Sequence, residues 1–239
     1  MSTTLPAILW RGPSQLDGKP IMLVATHNSQ NPKTGDIVQT WILRDDIAPH
    51  HAIHTGDDAS VCGSCPLRGE IVNGRTTHRA CYVQTHNAPR SIFAKHTRGG
   101  YAELSITQAR EALAGRVVRL GAYGDPAAVP IAVWDRIMRD TVAHTGYTHQ
   151  WQRFSAIARY CMASVESETQ AAKAHARGFR TFRVGLGRTK TEAVCPASHE
   201  AGRKLNCAQC LACSGRTGRR TADIVIAPHG NGAKYVTAA

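Results

Sequence analysis

The chain has 239 residues, 42% of them hydrophobic and 19% charged, and a formal charge of +12. That composition excludes a largely disordered chain, and the length is enough to bury roughly 70% of the unfolded surface without disulfide staples. The longest apolar runs, such as Ile21-Met22-Leu23-Val24-Ala25, are strand-sized and Met1-Ser2-Thr3-Thr4-Leu5-Pro6 has no secretory pattern, so no membrane span and a cytoplasmic location are expected.

In chain order, residues 1–18 read as a polar lead-in broken by Pro6, Gly12 and Pro13. Ile21–Thr26 and Ile37–Leu43 are β-rich and joined by a turn-forming segment, which predicts a hairpin. Residues 44–80 lack periodicity, and a long irregular stretch in a globular chain is usually functional or organised by metal. A strand is expected at Cys81–Val83, then a helix over Pro89–Thr97 ending at Gly99-Gly100. Ser105 caps a helix to Ala114, closed by Gly115. There follow a strand at Val117–Leu120, a helix at Pro130–Val142, a short strand at Gly146–His149 and a short helix at Gln152–Ala158. The rest reads as strand Tyr160–Val165, helix Ser167–Arg177 closed by Gly178, strand Phe179–Val184, a cysteine-rich loop, and strand Ala222–Ala227. About six strands alternating with helices predict a parallel α/β sheet or barrel. A single domain over 1–239 is expected, with a hairpin extension at 1–44, an α/β core at 45–184 and 220–228, and a cysteine-rich insertion at 185–219.

The eight cysteines are grouped. Cys62 and Cys65 form C-x2-C, followed by Cys81; Cys195-Pro196 precedes Cys207, Cys210 and Cys213, a C-x2-C-x2-C run; Cys161 stands alone. A reducing cytosol disfavours structural disulfides, so tight spacing there points to metal or redox chemistry. Three cysteines at two-residue spacing, with a further cysteine followed by proline, match the way ferredoxin-type chains hold a 4Fe–4S cluster. Structural zinc more often uses two separated pairs and is the alternative metal. Three ligands at Cys62, Cys65 and Cys81 suit a cluster with one open iron, or zinc with His54, His78 or His86 as fourth ligand. Cys161 reads as a small core hydrophobe.

The order Cys62-x2-Cys65, Cys81-Tyr82, Gly121-Ala122-Tyr123-Gly124-Asp125-Pro126, then Cys195-Pro196 with Cys207, Cys210 and Cys213, resembles a cysteine-rich family of bacteriophage proteins. Segments Tyr147-Thr148-His149-Gln150-Trp151, Met162-Ala163-Ser164-Val165-Glu166-Ser167 and Arg180-Thr181-Phe182-Arg183-Val184 are similar to the same family. More distantly the layout resembles radical S-adenosylmethionine barrels. That resemblance implies a partial (β/α)6 barrel in which Cys62, Cys65 and Cys81 hold a 4Fe–4S cluster. Gly121, Tyr123, Gly124, Asp125 and Pro126 would then bind S-adenosylmethionine, with Asp125 as the catalytic-site anion. Cys195, Cys207, Cys210 and Cys213 would hold an auxiliary cluster. Such enzymes usually carry C-x3-C-x2-C and Gly-Gly-Glu-Pro; here fifteen residues separate Cys65 from Cys81 and the turn is Tyr-Gly-Asp-Pro. A phage-encoded chain would work in the host cytoplasm.

Residues 1–150 carry 15 Lys/Arg against 12 Asp/Glu, a net +3, whereas residues 151–239 carry 14 against 5, a net +9. Arg177, Arg180, Arg183, Arg188, Lys190, Arg203, Lys204, Arg216, Arg219 and Arg220 make up most of that excess. Concentrated charge suits DNA or RNA phosphates, or simply offsets thiolate charge. Aromatic residues are 6% and form no stacking run. Two functions are expected as alternatives: an iron–sulfur enzyme acting on a phosphate-bearing or nucleic-acid substrate, or a metal-stabilised module that binds nucleic acid or a host protein without catalysis. Electron transfer by the cluster is a third.

Overall fold

A computed structural model describes residues 4–27, 32–202, 204–217 and 221–236. The hairpin tip at 28–31 and the predicted basic residues Arg203, Arg219 and Arg220 lie outside the described residues.

The strands are β1 (Ala7–Pro13), β2 (Pro20–Thr26), β3 (Val38–Arg44), β4 (Glu70–Val72), β5 (Arg75–Thr77), β6 (Ala102–Glu103), β7 (Val117–Tyr123), β8 (Ala143–Thr148), β9 (Met162–Val165), β10 (Thr181–Val184), β11 (Glu192–Val194) and β12 (Asp223–Ile226). The helices are α1 (Pro49–Thr55), α2 (Ala59–Cys62), α3 (Ala88–Thr97), α4 (Ile106–Leu113), α5 (Ile131–Ile137), α6 (Glu168–Ala176) and α7 (Cys207–Cys210). Ten described strands form one sheet in the order β11-β12-β10-β9-β8-β7-β3-β2-β1-β6, and β4 pairs with β5 apart from it. The protein is therefore a mixed α/β fold on a large, mostly parallel sheet.

From β3 to β12 the main strands β3, β7, β8, β9, β10 and β12 are parallel neighbours laid down in chain order. Parallel neighbours need long crossovers, and a series that never reverses puts every strand's C-terminal end, and the loops that follow, on one edge. Side chains alternate across each strand. On β7, Val118 and Leu120 are buried in the main core, whereas Arg119, Gly121 and Tyr123 line a cavity on the other face.

The predicted helices over 105–114 and 167–177 are present because their caps are real. The Ser105 hydroxyl accepts from Gln108 N while the Gln108 side chain accepts from Ser105 N, and the Ser167 hydroxyl accepts from Gln170 N. Each such cap satisfies amides that the first helical turn leaves open. The hairpin of β2 and β3 is also present.

Other expectations need correction. The lead-in contains β1, because Ala7, Ile8 and Leu9 bury fully against β2 despite the flanking prolines and glycine. Cys81–Val83 is not a strand; the parallel series starts at β3 instead. The helix predicted over 130–142 stops at Ile137, where Thr141 N and Oγ1 both donate to Met138 O and turn the chain into β8. The cysteine-rich loop contains β11 and α7, which were not foreseen.

Two buried clusters fill the molecule. The larger holds most of the buried leucines, isoleucines and valines together with Trp134 and Cys161, so the solitary cysteine is a core residue as expected. The smaller consists of Met162, Cys195, Ala197, Cys210, Ala212, Cys213, Ile224 and Ile226. Among the described residues no helix is long and apolar enough to cross a membrane.

Candidate functional site

The loops after β3 and β7 build one wall. After β3 the chain forms α1 and α2, and Cys62 ends α2. Asp125 N donates to Val61 O at 2.6 Å, joining α2 to the turn that follows β7. That turn depends on glycine. Gly121 and Gly124 have φ of 69° and 81°, and a Cβ on them would lie 2.4 Å from Gly124 O and 2.6 Å from Ile42 O. Side chains there would be strained by the backbone and would also clash.

The fifteen residues between Cys65 and Cys81 do not carry the third cysteine away. Most of them fold as the β4–β5 hairpin, and Cys81 N donates to Leu67 O at 2.9 Å where its ends meet. Arg68 fastens the start of the excursion, donating to Gly63 O at 2.7 Å and to Asp58 Oδ2 at 3.0 Å.

The second cysteine group lies across the cavity. α7 starts with a capping box of Asn206 and Gln209 and is tied to the β2–β3 connection, with Cys207 N on Lys33 O and Ala208 N on Thr34 O. Cys195 N donates to Val225 O and Cys213 O accepts from Gly146 N, each at 2.9 Å.

Seven thiols, Cys62, Cys65, Cys81, Cys195, Cys207, Cys210 and Cys213, line a single cavity of about 340 Å³. All are free cysteines. Gly121, Tyr123, Gly124 and Asp125 line it too, and Pro126 is buried just behind, at the start of a single 3-10 turn. Among the described residues no group of three or more His, Cys, Asp or Glu side chains is placed to hold a metal ion. The thiols surround the space without converging on one point.

Burial pushes the Cys62 thiol well above its ordinary range, and Asp58, Cys65 and Cys81 add to the effect. Cys213 is raised to about 12, again chiefly by burial. A metal that took these sulfurs would have to displace their protons.

Asp125 is buried and its carboxylate is well occupied. Oδ1 accepts from Ala127 N at 2.9 Å and Thr148 Oγ1 at 2.7 Å, and Oδ2 accepts from His149 N at 2.8 Å. Burial raises its pKa, opposed by these hydrogen bonds. Its observed work is to tie the turn after β7 to the end of β8; a carboxylate has about four acceptor positions, so Oδ2 can still take another donor.

The histidines differ from expectation. His54 bonds to Thr76, His78 packs edge-on to Tyr235, and His86 is exposed. The histidine at the first thiol group is His149, whose Nε2 is 2.8 Å from Glu166 Oε1. Burial opposes its protonation, but hydrogen bonding and charge from Cys65 and Glu166 prevail and raise its pKa well above normal. The signal was period two on β8: Thr145, Tyr147 and His149 share the cavity face. Treating parallel strands as uniformly apolar hides that alternation.

The basic residues of the C-terminal half divide. Arg183 is buried and pairs with Glu192 through Nε and Nη2, each at 2.6 Å. Arg180 Nη1 donates to Gly215 O at 3.0 Å. Arg177, Arg188, Lys190, Lys204 and Arg216 are exposed. Comparison of the chain with protein-family models, with curated proteins and with solved structures finds no match.

Proposed function

We propose that the protein is an iron–sulfur enzyme of the radical S-adenosylmethionine type, with Cys62, Cys65 and Cys81 holding a cluster that has one open iron and the Cys195–Cys213 group holding a second. The observation that carries this reading is the meeting of seven thiols and the Gly121–Pro126 turn around one cavity at the C-terminal ends of a sequentially ordered parallel sheet. A partial barrel is the architecture that goes with it.

Two further features support the reading. Tyr123 Oη and Arg79 Nε are buried without hydrogen-bond partners among the described residues. Tyr123 feels Cys62 and Cys81, and Arg79 Nη1 donates to Cys81 O at 3.0 Å. Buried donors without acceptors are costly, and a sulfide-bearing anionic group on these cysteines would supply acceptors.

When bound, such a cluster supplies an electron to a sulfonium cofactor. The chain's own residues position and shield. Cys62, Cys65 and Cys81 would hold the iron as thiolates, the glycine turn would let backbone approach closely, and Oδ2 of Asp125 could accept from an ammonium. Tyr147, Phe182, Ile224 and Ile226 keep the chamber wall apolar, which limits water near reactive species. The test is anaerobic incubation of the iron-loaded protein with reductant and S-adenosylmethionine. Formation of 5′-deoxyadenosine is expected; none from an intact cluster would refute cofactor cleavage.

The exposed residues Arg177, Arg188, Lys190, Lys204 and Arg216 favour a second reading, a metal-stabilised module that binds DNA or RNA. It predicts affinity that falls steeply with salt; binding indifferent to salt would count against it.

A further inference from the structure

Arg44, Arg68 and Arg183 each have carboxylate partners. Arg119, like Arg79 and Arg180, has no carboxylate partner among the described residues, but of these three it alone lines the cavity. Its Nη2 donates to Tyr82 Oη at 2.7 Å. Burial works against its charge, and the groups that sustain it are Tyr82, Tyr147 and Cys207. The residue is half-buried, a charge drawn out of water is normally paired, and a guanidinium offers five donors in a fork suited to carboxylate or phosphate.

The surroundings indicate what else the ligand carries. Thr145 pairs in register with Arg119 on the neighbouring strand and also lines the cavity. Beyond it stand Tyr147 and Phe182, with ring centroids 4.4 Å apart, and Ile224, which is in register with Phe182. The wall thus passes from one forked cation, through a hydroxyl, to aromatic and aliphatic surface. A volume of about 340 Å³ is at the small end of the range for small-molecule pockets and does not suit a polynucleotide.

We propose that Arg119 anchors the anionic group of a small substrate whose apolar body rests against Tyr147, Phe182 and Ile224. This deepens the reading of the cavity as the reaction chamber and rests on it only for the word substrate; the anchor itself follows from the residues around the guanidinium. The anion is a carboxylate or phosphate monoester, held between the two thiol groups, since Tyr82 follows Cys81 and Cys207 is on the opposite side.

The test is calorimetric titration of the protein as purified with 1-naphthaleneacetate, 1-naphthyl phosphate and the uncharged 1-naphthaleneethanol. At least one anion should bind about tenfold more tightly than the alcohol, as expected for a charge-assisted hydrogen bond. The stronger anion identifies the preferred group. Arg119→Met should abolish that preference while leaving binding of the alcohol unchanged, and Arg119→Lys, which retains charge without the fork, should keep part of it and guards against a misfolded Met variant. Equal binding of anions and alcohol, an anion preference that survives in Arg119→Met, or no binding of any of the three would overturn the proposal. The last two would mean that the guanidinium serves only the charge of the Cys207 group. The readout does not depend on 5′-deoxyadenosine, so loss of the anion preference and loss of cofactor cleavage are separate results.

Discussion

Around β1–β3 the sheet is packed with Leu9, Ile21, Leu23, Ile42 and Leu43, none with any solvent exposure. Around β10–β12 the buried cluster has two isoleucines and a methionine, with the rest made up of alanines and the thiols of Cys195, Cys210 and Cys213. The first end buries large aliphatic groups at roughly 25 cal/mol per Å² of apolar surface. The second has small side chains where bulk would otherwise sit, and it surrounds space. On the proposed reading, the first end supplies stability by itself, and the order of the second should depend on metal bound at the thiols.

The largest break in that comparison should come from metal removal. A chelator under anaerobic conditions should speed amide exchange in residues 192–202, 204–217 and 223–226 and leave β1–β3 protected. Uniform loss of protection, or none, would show that the two ends do not differ in this way. Next is Leu43→Ala, expected to cost about 3 kcal/mol by urea denaturation with or without metal. Glu192→Gln should cost about 3 kcal/mol at neutral pH, because it leaves the buried Arg183 without its anion. Arg183 holds the Glu192 carboxyl below its ordinary value of 4.5. The pair's stabilisation is therefore full above that value and is lost as pH falls through the depressed one, so parent and variant should converge in acid. Ser105→Ala removes one cap and should cost about 1 kcal/mol, read as a shift in melting temperature. Tyr123→Phe should be the quietest in stability, since its hydroxyl has no partner among the described residues. In the loaded protein it should lower the reduction potential of the first cluster by removing a donor; an unchanged potential would place the hydroxyl elsewhere.

Much of the framework was legible from local chemistry. Ser105 with Gln108, and Ser167 followed by a helical stretch closed at Gly178, are short-range signals, and the structure honours both. The hairpin of β2 and β3 follows from its alternation and turn residues. β1 was hidden because prolines and a glycine flank its apolar core, and its pairing with β2 outweighs them. Cys81–Val83 has strand-like residues, but Cys81 is held by Leu67 at the base of a hairpin and not by a sheet neighbour. The cysteine spacings named the thiols, yet their sharing of one cavity is a long-range fact, set by sheet order across more than a hundred residues of chain. Arg119 and His149 were missed for a related reason. Arg119 occupies a cavity-facing position of β7, whose other face, at Val118 and Leu120, carries the apolar signal, and His149 lines the cavity directly after the end of β8.

The central claim is that the cavity thiols hold iron–sulfur clusters. It is tested most directly by assaying iron, acid-labile sulfide and zinc per chain in protein purified and reconstituted without oxygen. Two clusters predict iron and sulfide in equal amounts, about eight of each per chain. Stoichiometric zinc without sulfide would contradict the claim.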